Sequence, residues 1–350
     1  MNRKPSAFVS RNKLNKPFFF IVLALVVGIF LVSLGWGRYP IPVAKVAQLL
    51  ATGIFDKASL DWNDPAISVF YHIRLPRVLV ALLVGASLAV AGTVFQGMFR
   101  NPLVSPDILG VTSGCSFGAA LGILLPFASV YSVSIMAFIF GVVAMAFAYG
   151  ISTASKGEPT IMLILAGMVV SAFFTAALSF VQYTADPYNE LPAIIFWIMG
   201  GFFRTNWEIA LVLLFTVVPF MIIIYLLSWK LDLLSLGDDE ANALGLNVKL
   251  LRFVLITSTT FLVAISVSAA GTIAWVGLVI PHIARMLTGS EHTVSIPMAA
   301  LVGGGFVLLM DDLARNLTTS EIPISILTAA LGAPFFAYLL IKRTHKAWNR

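Results

Sequence analysis

Apolar runs of about twenty residues, parted by short polar stretches, dominate the chain. A hydrocarbon core about 30 Å thick is crossed by roughly 20 helical residues at 1.5 Å each, so each run predicts a spanning helix. The predicted spans are 18–37, 76–97, 106–125, 131–153, 160–183, 207–228, 252–271, 272–287, 295–314 and 322–341. Pro and Gly interrupt 92–127 and 252–287, leaving open whether each is one helix or two. Three stretches break the pattern. Residues 38–73 hold Pro40, Pro42, Pro65 and an amphipathic piece from Val43 to Leu50. Residues 184–206 hold Pro187, Pro192 and an apolar run, Ala193 to Phe203, too short to cross; it is expected to be re-entrant or to lie at the outer surface. Residues 229–251, which hold Asp238, Asp239 and Glu240, join two spans.

Composition agrees: 59% of residues are hydrophobic and 11% charged, with mean hydropathy +0.96, far from a soluble domain. The expected class is an all-α integral membrane protein, a single transmembrane domain over 1–350. Lys and Arg set its orientation. Arg3, Lys4, Arg11, Lys13 and Lys16 make a basic tail over 1–17, and Lys342, Arg343, Lys346 and Arg350 another over 342–350, so both termini are expected in the cytoplasm, with an even number of spans. That puts 38–73 and 184–206 outside and 229–251 inside. The first run superficially resembles a signal peptide, but its length and the lack of a small-x-small cleavage site favour a retained anchor. The net charge of +6 reports topology and is no argument for nucleic acid. The lone Cys115 permits no intrachain disulfide and no cysteine metal cluster.

A weak repeat is visible at an offset of 179 residues: Ala91-Gly92-Thr93 recurs as Ala270-Gly271-Thr272, Pro102 as Pro281 and Gly110 as Gly289. It displaces span two onto span seven, and a shift of five spans reverses direction. Two inverted halves are expected, an architecture common among transporters.

The chemistry is notable for what is missing. Asp107, Glu208, Asp311, Asp312 and Glu321 fall near span ends, and no Lys, Arg or His holds a clear midplane position. Proton-driven transport usually needs buried titratable groups, so a gradient-driven transporter is disfavoured, although a sodium site of backbone carbonyls would leave no such signature. The chain has no G-x-x-x-x-G-K-[ST], H-E-x-x-H or G-x-S-x-G sequence, and an intramembrane enzyme is disfavoured because no paired catalytic groups converge. Work done by this chain therefore draws on another chain's energy. A subunit that only senses or assembles stays open.

Against that background Ser235-Leu-Gly-Asp-Asp-Glu-Ala-Asn-Ala-Leu-Gly-Leu-Asn247 stands out. Gly237 or Ser235 suits an N-cap, Asp238, Asp239 and Glu240 complement the positive end of a helix dipole, and Gly245 supplies a left-handed stop. Ala241 and Leu244 make a small apolar face. The helix is near eight residues long, and helices under about 12 residues are marginal alone in water. Either the stretch is a solvated connector or it docks on a partner.

Arg74 and Arg77 flank Pro76, a residue suited to a helix's first turn, where cations oppose the dipole. They are either anchors snorkelling to lipid headgroups or groups awaiting another partner. Arg315 has Asp311 four residues earlier, a bridge worth about 0.3–0.5 kcal/mol on an exposed helix. His282 and Arg285 follow Pro281 at helical spacing, and a lone histidine is a poor metal site. Asn101 and Pro102 form the matching break in the first half, structural with a possible part in gating.

The ordered series Arg74-Leu-Pro-Arg77, Gly92, Arg100-Asn-Pro-Leu103, Pro106-Asp-Ile-Leu-Gly110, Leu234 through Gly245, Gly277-Leu-Val-Ile-Pro-His-Ile-Ala-Arg285 and Leu331-Gly-Ala-Pro-Phe335 resembles the FecCD family of ABC-importer permeases. The likeness covers about residues 74–342. It implies a ten-helix subunit, in a homo- or heterodimer with a second permease, in the inner or cytoplasmic membrane. It also implies two cytoplasmic ATPases that bind the ATP, no cofactor or metal on this chain, and an extracytoplasmic binding protein. The implied cargo is a ferric siderophore or related iron or tetrapyrrole compound, with vitamin B12 or a molybdate-type oxyanion as alternatives. By resemblance Gly237, Asp238, Asp239, Glu240, Ala241, Leu244 and Gly245 form the ATPase-coupling element, and Arg74, Arg77 and Arg315 face acidic residues of the binding protein. Asn101, Pro102, Pro281, His282 and Arg285 remain structural or gating residues.

Overall fold

A computed structural model describes residues 16–55 and 62–348. The sequence-derived calls on the rest of the N-terminal basic tail, on 56–61 and on the last two residues lie outside the described residues. Fourteen helices follow in order. They are α1 (Lys16–Gly35), α2 (Val43–Phe55), α3 (Pro65–Met98), α4 (Val111–Ile123), α5 (Val130–Ala154), α6 (Pro159–Thr184) and α7 (Glu190–Ile198). After them come α8 (Trp207–Leu226), α9 (Ser228–Leu234), α10 (Asp238–Ala243), α11 (Val248–Ala270), α12 (Val276–Thr288), α13 (His292–Asn316) and α14 (Ile324–Trp348). Among the described residues seven are long and apolar enough to cross a membrane; the other three predicted spans fall on the shorter apolar α4 and α12 and on the apolar part of α14, Ile324–Leu339. The two interrupted zones each hold two helices. α14 continues as helix to Trp348, through most of the expected C-terminal tail.

α3 is the axis of the bundle. It packs on α13 most extensively, then on α12, α11 and α8, and nearly all of its residues from Pro76 to Met98 are buried. With lipid as apolar as any side chain, helices associate through close packing of small residues. Gly92 of α3 lies so near the Gly277 carbonyl of α12 that any Cβ there would overlap it. α1, α5, α6 and α8 keep most of their surface outside the bundle.

Pro76 does not begin a helix. α3 starts at Pro65, where the Asp64 side chain accepts from the Ala66 amide at 2.8 Å, and runs through a π-helical turn at Val69–Arg74. Pro76 has no N–H to donate, and its ring would strike the carbonyl four residues back. The preceding turn widens to relieve this, and Leu75 N–H bonds to Phe70 O, five residues back. The dipole argument for Arg74 and Arg77 therefore falls, because both sit inside a continuous helix.

The residue matches at offset 179 are not structural equivalents. Gly92 is mid-helix whereas Gly271 ends α11, and Pro102 is in a loop whereas Pro281 is inside α12. What recurs is a long, short, long, long succession, α3 to α6 and again α11 to α14. The two copies run oppositely. Arg77, near the start of α3, meets Asp311 near the end of α13, while the end of α11 joins that same face: Gly201 N bonds Ala270 O, and Ile324 N bonds Gly200 O. This face is labelled the outer end, after the orientation that the basic tails predict, and the opposite one, carrying α9 and α10, the coupling end, after the role that the resemblance implies. Both α1 and α14 have their chain-terminal ends at the coupling end.

The outer segment 38–73 contains α2, which is amphipathic as expected but extends to Phe55. The 184–206 segment contains the nine-residue α7, whose Ile194 and Trp197 are buried.

Candidate functional site

At the coupling end the chain leaves α8, makes the short α9, and turns into α10, six residues long where eight are expected. Gly237 is the N-cap, with the Glu240 carboxylate folded back over it, and Asp238, Asp239 and Glu240 fill the first turn. The C-terminus is a Schellman motif: Leu246 N bonds Ala241 O at 3.1 Å, Gly245 N bonds Asn242 O at 2.9 Å, and Gly245 is left-handed at φ +84°. An L-residue there pays roughly 1–2 kcal/mol of backbone strain.

α10 is fastened to the bundle. Arg252 of α11 reaches both Asp238 oxygens at 3.0 Å and Thr160, in the first turn of α6, at 3.4 Å. Glu158 caps that same turn through the amides of Thr160 (3.2 Å) and Ile161 (2.8 Å). Burial pushes its carboxyl up, but the Thr160 and Ile161 bonds and the Arg252 charge outweigh this and hold it below the usual range. Ala241 and Leu244 do not share a face. Ala241 is fully buried in the core, while Leu244 is 60% exposed, as are Leu236 (61%) and Leu250 (59%). The helix is thus anchored through its small residue and presents leucines and the exposed Asp239 and Glu240 outward.

Beside it lies a polar recess of about 670 Å³, lined among others by Gln96, Arg100, Asp232, Arg285 and His292. Asp232, on α9, accepts from the His292 amide (2.9 Å) and bonds its Nδ1 (2.5 Å), which ties the coupling segment to the first turn of α13. Gln96 joins α3 to α12: its Oε1 accepts from Arg285 at 2.5 Å and its Nε2 donates to the carbonyls of Val104 (3.1 Å) and Leu278 (3.2 Å). Arg100 has φ +51°, a left-handed position, and the Asn101 side-chain Oδ1 accepts from Leu103 N at 2.9 Å, shaping the turn around Pro102. Pro281 and His282 are buried in α12. The structure therefore brings Asn101, Pro102 and Arg285 to one recess and leaves His282 behind it, inside the bundle.

At the outer end Arg74, Arg77 and Arg315 do not stand open to a visiting protein, nor do they snorkel to lipid. They are 4%, 6% and 7% exposed. Arg77 forks onto Asp311 (Nη2 2.8 Å, Nε 3.1 Å) and onto Glu321 (2.8 and 3.0 Å). Arg315 faces Asp311 at 3.2 Å and bonds Asp312, which also accepts from Ser33. Arg74 donates to the carbonyls of Leu34, at 2.8 Å, and Tyr39. The physical reason is desolvation: charges inside a bundle persist only where other charges and carbonyls complete them. Burial pushes the Glu321 carboxyl up, but the Arg77 guanidinium outweighs it and holds the group below the usual range. The expected Arg315–Asp311 pair exists, as one edge of this clasp among α1, α3, α13 and the turn before α14.

Sequence reasoning missed Asp232, Gln96 and His292, and noted Glu321 near a span end without giving it a partner. All are polar residues near span ends, a visible signal, but one that does not say which end meets which.

The sequence matches the model of the FecCD transport family over residues 24–342, and the chain belongs to that family. It is 45% identical over 338 residues to the molybdate import system permease protein MolB of Haemophilus influenzae, covering 95% of this chain and 98% of the relative. It is 37% identical to the hemin transport system permease protein HmuU of Yersinia pestis, covering 80% and 85%. It is 36% identical to the iron(3+)-hydroxamate import system permease protein FhuG of Bacillus subtilis, covering 95% and 99%. A metal-chelate type ABC transporter solved in an inward-facing conformation superposes with TM-score 0.83 at 42% identity, covering 93% of this chain and 99% of that one. The fold is accordingly that of an ABC-importer permease subunit.

Proposed function

We propose that this permease imports a ferric siderophore or a related iron or tetrapyrrole cargo, driven by ATP that separate subunits bind and hydrolyse at its coupling end. The observation that carries the reading is α10. It is a six-residue helix, too short to stand alone, closed by a Schellman turn and pinned by Asp238–Arg252, with Leu236, Leu244, Asp239 and Glu240 turned outward. Such an element fits a groove in a soluble ATPase and transmits its motion to α11 through Arg252 and to α13 through Asp232. In this reading the coupling end and both termini are cytoplasmic. A second permease copy or sister completes the pathway, and a binding protein delivers cargo to the outer end, over the clasp rather than onto its buried arginines. The chain binds no cofactor of its own.

Iron-chelate, haem and hydroxamate names among the relatives support this cargo class. A molybdate-type oxyanion is the second reading, favoured by the 45% relative. Uptake of a labelled ferric hydroxamate, haem and molybdate into vesicles holding the assembled transporter separates them. ATP-dependent accumulation of molybdate alone overturns the iron reading, and accumulation without any ATPase overturns the energy source.

A further inference from the structure

A second groove, of about 610 Å³, opens on the side of the bundle between α5, α8 and α11. Its walls are apolar and follow helical spacing: Tyr131, Ile135 and Phe138 on one side, Val212 and Phe215 on the other. Ile135, Val212 and Phe215 are 57%, 55% and 73% exposed on helices long enough to cross a membrane, so the groove faces the bilayer. Phe261 closes its floor, stacked on Phe220 at 4.8 Å and edge-on to Phe138 at 5.6 Å.

The other end is polar. Glu208, in the first turn of α8 at the outer end, is exposed and lines the groove together with Tyr131, whose hydroxyl accepts from Asn206 Nδ2 at 2.9 Å. Among the described residues no basic side chain pairs with Glu208. From Glu208 to Phe220 is twelve residues of helix, about 18 Å, close to the roughly 15 Å of one hydrocarbon leaflet.

We propose that this groove binds one acyl chain of an ethanolamine-type phospholipid, the chain lying on the aromatic floor and the headgroup ammonium meeting Glu208. The depth of one leaflet, the apolar wall and an acid without a cation at headgroup level select an aminophospholipid over an anionic lipid. An anionic headgroup would meet the carboxylate's repulsion.

The full-length protein, with the subunits that co-purify, is equilibrated in nanodiscs of equal parts phosphatidylethanolamine and phosphatidylglycerol. Lipid retained through mild detergent is then counted by native mass spectrometry. The expected result is retention of phosphatidylethanolamine about two- to fivefold above phosphatidylglycerol, the range that an exposed ion pair supports. Glu208→Gln should abolish the preference, Glu208→Lys should invert it, and Val212→Trp, which fills the groove, should remove both lipids. Equal retention by the unaltered protein, or a preference that survives Glu208→Gln and Glu208→Lys, overturns the proposal. So does displacement of the lipid by soluble glycerophosphoethanolamine, which would mean headgroup binding without the chain. Efficient crosslinking of Val212→Cys between two copies would show that a second copy fills the groove, and would overturn it as well.

Discussion

Asp311 is the member of the outer clasp whose loss should cost most. Its side chain is fully buried and serves two guanidinium groups, Arg77 and Arg315, both less than a tenth exposed. Asp311→Asn removes the charge with little change of volume and leaves Arg77 only Glu321, and Arg315 only Asp312, as acidic partners in a water-poor setting. Breaking a buried pair from one side costs about 3–5 kcal/mol, whereas deleting both partners is often close to neutral. Glu321 also pairs with Arg77 but is 31% exposed, so Glu321→Gln should cost about 1 kcal/mol or less. Thermal unfolding of the detergent-purified protein reads the ordering: a large fall for Asp311→Asn, a small one for Glu321→Gln, and substantial recovery when Asp311→Asn is combined with Arg77→Gln. Equal small losses from both acids, or no recovery in the double variant, would refute a desolvated clasp and return these residues to ordinary surface pairs.

Replacing Gly245 by Val should leave the protein folded, since nothing lies within 4 Å of the added Cβ, while straining the left-handed turn. Transport measured against ATP hydrolysis in proteoliposomes should show hydrolysis outrunning uptake. Asp232→Asn weakens the tie to His292 and should lower the uptake per ATP with membrane expression unchanged, whereas a matched exposed change such as Lys249→Gln should leave it alone. Because the folded Glu321 carboxyl sits below its ordinary value, its bond to Arg77 stabilises the protein above the usual carboxylate pKa of about 4.3 and is lost as pH falls through the lower folded value. Melting temperature should drop more steeply across that acidic window in the unaltered protein than in Glu321→Gln.

Seven of the expected spans were legible because each is a local property: twenty apolar residues need no knowledge of a neighbour, whereas 106–125 and 272–287 hold helices of only 13 residues. The short helix α10 was legible for the same reason, since Gly237, the three acids and Gly245 mark its ends within ten residues. Pairings across the bundle were not. Nothing near Arg77 in sequence announces Asp311 or Glu321, more than two hundred residues away, and nothing near Asp232 announces His292. Pro76 misled because a proline suits a helix start, whereas the helix that begins at Pro65 widens into a π-helical turn just before it and continues. Ala241 and Leu244 misled because a helical wheel assumes a full turn of regular helix between them, whereas Leu244 already belongs to the closing turn.

The widened turn at Val69–Arg74 has one further consequence. Each residue of helix turns its side chain by about 100°, so the extra residue held in that turn sets the bearing of everything N-terminal to it relative to Arg77. Deleting one residue between 69 and 73 would leave the hydropathy of the span nearly unchanged, yet it would swing the Trp62–Tyr71 aromatic contact, 5.8 Å between ring centres, to another side of the protein. This stretch should therefore tolerate exchanges of character far better than any change of length.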